Sequence, residues 1–173
     1  IKVANYSHAT AYVPPVNPSP NLNTYNSIIL YPSLCLFEGT TLSLGRGTLF
    51  PFQVLGHPLF KGKFSFYFTP ESIPGMSEDP PQKGKTCYGI DMRNYDPESI
   101  RNKGKIDILW LMKLYKDFPD KEHFFNNYFT KLAGNTELRK QIEEGKSEVE
   151  IRKSWEPALN NFKTIRKKYL LYK

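Results

Sequence analysis

Apolar positions along the chain change character from one half to the other. Residues 28–37, Ile-Ile-Leu-Tyr-Pro-Ser-Leu-Cys-Leu-Phe, form an almost unbroken apolar run interrupted at Pro32, which predicts a buried strand or a strand pair with a bend. Residues 63–69 and 86–93 alternate and are rich in aromatics, so each reads as a strand. The second half follows the helical period. Residues 106–117 carry Ile108, Leu109, Leu111, Met112, Leu114 and Tyr115, with Pro119 beyond the end. A shorter helix is predicted over 136–144, stopping at Gly145. Ser147 and Glu150 then have the spacing of a capping box, and a last helix follows with Ile151, Trp155, Leu159, Phe162, Ile165 and Tyr169 along one face. Pro157 is expected to kink it.

Between these elements lie the breakers. Pro14, Pro15, Pro18 and Pro20 make residues 1–27 an extended lead-in, and three prolines and two glycines make 74–85 a loop. Residues 38–48, Glu-Gly-Thr-Thr-Leu-Ser-Leu-Gly-Arg-Gly-Thr, form a glycine-punctuated loop. Strands first and helices later predict an α+β fold, with a mixed or antiparallel sheet from the first half and helices from the second. The division that follows is a connector over 1–27 and a domain over 28–173. Starting on Ile1, with no targeting pattern ahead of the first strand-like residues, the chain reads as a trimmed, processed or proteolysed product whose first residues belong to something that continues upstream.

Composition narrows the classes. The 173 residues suit one domain, 39% hydrophobic residues are too many for a disordered chain, and no apolar run reaches the roughly 18 residues of a membrane span. Two cysteines exclude a disulfide-scaffold miniprotein and a Cys-rich zinc site. The net charge of +7 invites nucleic acid, but its placement argues otherwise. Ten basic and five acidic residues fall in 138–173, the pattern of a solvated helix rather than of a groove built from several elements. Before residue 70 the charged side chains are Lys2, Glu38, Arg46, Lys61 and Lys63.

That scarcity isolates the candidate chemistry. Glu38 is the lone carboxylate of the first 70 residues, and Arg46 lies eight positions later across a loop with Gly39, Gly45, Gly47, Thr40, Thr41 and Ser43. Glycines let backbone approach a ligand, and hydroxyls suit a sugar or an anion. On residue types alone, a buried ion pair that fixes the loop is the favoured reading over a ligand site. No Gly-Lys-Ser/Thr follows, so this is not a phosphate-binding P-loop. Asn17-Pro18-Ser19-Pro20-Asn21 projects Ser19 and Asn21 from a stiff backbone, as a polar-ligand contact or as a rigid connector. His8, His57 and His123 lack metal-ligand spacing, no metal or cofactor is expected, and Cys35 reads as an inert buried thiol. Most aromatics are expected in the core.

The segments Pro18-Ser19-Pro20-Asn21-Leu22, Tyr31-Pro32-Ser33-Leu34 and Glu38-Gly39-Thr40-x-x-Ser43-x-Gly45-Arg46-Gly47-Thr48 occur in that order. Pro51-Phe52-Gln53, Gly56-x-Pro58, Cys87-Tyr88-Gly89-Ile90-Asp91, Leu132-Ala133-Gly134-Asn135 and the stretch from Trp155 to Tyr172 follow them. This set resembles the exo-β-N-acetylmuramidase family, long catalogued as a bacterial domain of unknown function, in its Bacteroides-like versions. Thr41 departs from the Asn common in relatives. The resemblance implies a match to the family's C-terminal part, with a Rossmann-like domain upstream that is absent from this chain and that holds the principal catalytic glutamate. It further implies a periplasmic or secreted glycoside hydrolase acting on peptidoglycan-derived saccharides, with the site between the two domains. Glu38 would then be catalytic, Arg46, Thr40, Ser43, Ser19 and Asn21 would bind substrate, and this chain alone would bind without turning substrate over. Arg46 would pair with Glu38 or meet the lactyl carboxylate of muramic acid. Neither nucleic acid nor a membrane span is expected. The competing reading is a stand-alone carbohydrate-binding or interaction module.

Overall fold

Thr24 starts the first helix. Its hydroxyl accepts from the Ser27 backbone N–H at 3.0 Å while the Ser27 hydroxyl sits 3.2 Å from the Thr24 N–H, a reciprocal cap that launches α1 over Tyr25–Leu34. This overturns the strand expected at 28–37. A run that is apolar on every side can be buried as a helix as readily as a strand, and the local cap decides it. Pro32 removes one helical hydrogen bond but stands in the last turn, so the helix closes within two residues and tightens into a 3₁₀ turn over Cys35–Gly39. The helix also straddles the boundary expected at residue 27.

The computed structural model describes residues 4, 7 and 10–170. His8, Leu171 and Tyr172 lie outside them. Three antiparallel strands, β1 (Val54–His57), β2 (Phe66–Phe68) and β3 (Cys87–Asp91), form a sheet in the order β1-β3-β2. The register pairs Leu55 with Ile90 and Phe68 with Cys87. Strands β2 and β3 fall inside the two alternating stretches; β1 is buried at all four positions and shows no alternation. The helices that follow are α2 (Pro97–Asn102), α3 (Leu109–Asp117), α4 (Phe129–Ala133), α5 (Glu137–Glu143) and α6 (Glu148–Arg166). The molecule is α+β, with one helix ahead of the sheet rather than all behind it.

One core joins α1 to the later helices. Leu30, Leu34 and Phe37 pack in it with Leu55, Met92, Ile108, Leu114, Phe124, Phe129 and Ile151. Edge-to-face ring contacts run from Phe60 to Phe118 (5.5 Å) and from Phe118 to Phe124 (5.3 Å). A smaller cluster, Val54, Phe68 and Cys87, is roofed by Phe50 and Phe66, with the Arg93 guanidinium 4.7 Å from the Phe50 ring. Burial pushes the Cys87 thiol up to about 12. Cys35 is half-buried rather than enclosed, and neither cysteine is bonded to another.

The capping box at Ser147 and Glu150 forms as expected. Helix α6 runs unbroken through Pro157, and every residue from Glu156 to Leu170 is exposed. Its apolar face is therefore buried at Ile151 but bare at Phe162, which is 57% exposed. Among the described residues no helix is long and apolar enough to cross a membrane.

Candidate functional site

Glu38 sits near the end of the 3₁₀ turn that extends α1, so the helix carries it to the surface. Its backbone is held from the other half of the chain. Asn126 donates through Nδ2 to the carbonyls of Glu38 and Thr40, both at 3.2 Å, and through its N–H to Gly39 at 2.9 Å. Thr41 N–H donates to Phe124 O at 3.0 Å. Gly39 is required here, because a side-chain carbon would run into the Phe129 backbone at the start of α4.

Arg46 reaches back across the loop. One guanidinium nitrogen lies 3.3 Å from Glu38 Oε2, and the two side chains remain 33% and 25% exposed. A charge-assisted N–H···O bond is usually shorter, near 2.7–2.9 Å, and Arg–carboxylate pairs are frequently two-armed. This pair is single-armed, long and open. The guanidinium also rests 5.1 Å from the centre of the Phe52 ring, which meets Tyr31 edge-on at 5.1 Å. Phe52 is buried and adopts the left-handed backbone region at φ 54, fixed by a 2.7 Å bond from its N–H to Leu44 O. Burial raises the Tyr31 phenol, and the Glu38 charge raises it further.

The pair opens on a cleft of about 220 Å³ lined by Phe37, Glu38, Thr40, Leu42, Leu44 and Arg46 on one side. Ser77, Asp79 and Pro81 complete it from the 74–85 loop, which the sequence offers as a plain connector. Thr40 lines the cleft, but its hydroxyl is engaged: it donates to Phe37 O at 2.7 Å and accepts from Leu42 N–H at 3.2 Å. Ser43 is fully buried behind the cleft, its hydroxyl accepting from Gly45 N–H at 3.3 Å. Both hydroxyls are engaged within the loop and shape it. Ser19 and Asn21 are not in the lining either. The Ser19 hydroxyl accepts from Asn21 N–H at 3.2 Å, and Asn21 Nδ2 donates to Met76 O at 2.8 Å, beside Ser77. They brace the opposite wall.

Behind the loop, His57 Nδ1 accepts from Leu59 N–H at 3.2 Å, so its proton is on Nε2 and is donated to Thr41 Oγ1 at 3.0 Å. Burial, then the Lys85 charge, lowers this imidazole to about 4. It is a neutral structural donor. Among the described residues, no group of three His, Cys, Asp or Glu is placed to hold a metal ion.

Residues 29–172 match the model described as "Exo-beta-N-acetylmuramidase NamZ, C-terminal". The chain is 35% identical over 171 residues to the "Peptidoglycan beta-N-acetylmuramidase NamZ" of Bacillus subtilis (strain 168), covering 92% of this chain and 41% of that protein. A crystal structure of a DUF1343 family protein from Bacteroides fragilis NCTC 9343 superposes with a TM-score of 0.90 at 47% identity, over 98% of this chain and 47% of the other. A second DUF1343 structure from that organism, 18% identical with a TM-score of 0.60, shares the fold. The chain thus spans less than half the length of the relatives it matches.

Proposed function

The chain belongs to the exo-β-N-acetylmuramidase NamZ family, over its C-terminal part, and from that membership we propose that it supplies the Glu38/Arg46 wall of a glycoside hydrolase site. The hydrolase releases terminal N-acetylmuramic acid from peptidoglycan fragments in the periplasm or outside the cell. The observation that carries this is the open, single-armed Glu38–Arg46 contact at the mouth of a cleft.

Glycoside hydrolysis uses two carboxyl groups flanking the scissile bond. Glu38 is one; its partner belongs to the Rossmann-like domain that completes the site. The cleft volume supports a shared site, since about 220 Å³ is below the roughly 300–1,000 Å³ of a complete small-molecule pocket. Arg46 keeps its second arm free of Glu38, and a planar fork of N–H donors suits the lactyl carboxylate that distinguishes muramic acid. Thr40, Ser43, Ser19 and Asn21 hold the two sides of the cleft in register with these groups. By itself this wall binds the sugar and does not hydrolyse.

The test is Glu38→Gln in the complete enzyme. Release of N-acetylmuramic acid from a chromogenic muramide should fall by roughly two to four orders of magnitude, the usual contribution of a positioned acid or base. A wild-type rate would remove Glu38 from the reaction.

A further inference from the structure

The loop opposite Glu38 is built as firmly as the catalytic side. Glu71 N–H donates to Gly47 O at 2.8 Å, Gln82 Nε2 donates to Thr41 O at 3.0 Å, and Gly84 N–H closes the loop onto Pro70 O at 2.8 Å. Gly47, at φ 78, lies so close to Pro80 and the Glu71 carbonyl that any side chain there would collide with both. Both ends of the Glu38 loop are thus tied to the loop that carries Ser77 and Asp79. A segment this well anchored is a wall, and the question is what its side chains do.

A sugar ring presents hydroxyl groups, which need acceptors as well as donors. Arg46 only donates, the Thr40 hydroxyl is already engaged, and one oxygen of Glu38 faces Arg46. Beside the second oxygen of Glu38, that leaves the Ser77 hydroxyl and the Asp79 carboxylate as acceptors on the facing loop. Asp79 is 94% exposed, and its nearest charge is Lys83 at 3.7 Å, too long for a hydrogen bond and worth little to the fold. Among the described residues no hydrogen bond holds its carboxylate. The carboxylate has no hydrogen bond in the fold, yet its loop is anchored and lines the same cleft as Glu38 and Arg46, so it is an acceptor open to donors placed there.

We propose that Asp79 accepts hydrogen bonds from ring hydroxyls of the saccharide seated against Arg46 and Glu38, making it a specificity-determining residue of the cleft. The inference rests on the reading of that cleft as a saccharide site. Its consequence is selectivity: sugars with free hydroxyls at the Asp79 side bind, and those deoxygenated there lose the contact.

Titration of the isotope-labelled chain with N-acetylmuramic acid, followed by amide chemical shifts, separates the two claims. Wild type should shift at residues 38–48 and 77–82. Asp79→Ala should weaken binding roughly tenfold, the loss expected for a hydrogen bond to a charged group. Its thermal midpoint should stay at the wild-type value, because Asp79 supports no fold contact. A deoxy analogue lacking the contacted hydroxyl should bind wild type and Asp79→Ala alike, a pattern that a merely structural role does not produce. Equal affinity of wild type and Asp79→Ala for the sugar overturns the role of Asp79 and leaves the cleft standing. No shift at 38–48 in the wild-type chain overturns both.

Discussion

His57 shows how one buried side chain ties the site to the acidity of its surroundings. Its folded value lies at about 4 against an ordinary 6.5, so the unfolded chain takes up a proton that the folded chain refuses. The stability it contributes is therefore full above about pH 6.5 and is lost as the pH falls toward 4, by at most about 1.4 kcal/mol per pH unit from this group. His123 behaves oppositely. It is exposed and bonded to Asp120 at 2.9 Å, which raises it above 6.5. Ring-proton NMR should find His57 titrating near 4 and His123 above 6.5. A normal value for His57 would mean that the ring is solvated and that Thr41 is not held by it. Because Thr41 belongs to the Glu38 loop, acidification below pH 5 should loosen that loop before the core yields.

Among the elements, α6 divides into two parts with different duties. Its first turns bury Ile151 and hold Gln141 of α5 through Ser154 at 3.0 Å, while every residue from Glu156 to Leu170 is exposed. Truncation after Ala158 should leave the thermal midpoint within a few degrees of wild type, as expected when no buried contact is lost. A collapse of the fold on truncation would show that the distal turns carry load. The same contrast between local and tertiary signals explains what could be read in advance. The α6 start was legible because Ser147 and Glu150 settle it between themselves. Strands β2 and β3 were legible because they alternate. Strand β1 was not, since both of its faces are buried, and α1 was not, since its cap uses Ser27 where Glu or Gln is the familiar partner. In the site, Glu38 and Arg46 stood out in a stretch nearly free of charge. Asp79 did not, because what gives it a place is the tie of its loop to Gly47 and Thr41, which no local spacing encodes.

At the scale of the whole molecule, the main core joins α1 to part of the sheet and to the later helices, a smaller cluster backs the rest of the sheet, and the cleft forms where segments distant in sequence are stitched together. Residues 38–48 take support from 71 and 82 on one side and from 124–126 on the other. The exposed stripe on α6, Leu159, Phe162 and Ile165, has a consequence for how copies of the chain treat one another. At a net charge of +7 they repel, and that repulsion is what keeps the stripes apart. Salt shortens its range from about 30 Å at 0.01 M to about 3 Å at 1 M while leaving apolar attraction intact. Light scattering should therefore find single chains in dilute buffer and growing association in concentrated salt, with Phe162→Glu remaining dispersed throughout. Unchanged scattering across that range would show the stripe to be inert. If association does appear, ionic strength becomes the setting that decides between a dispersed solution and a clouded one.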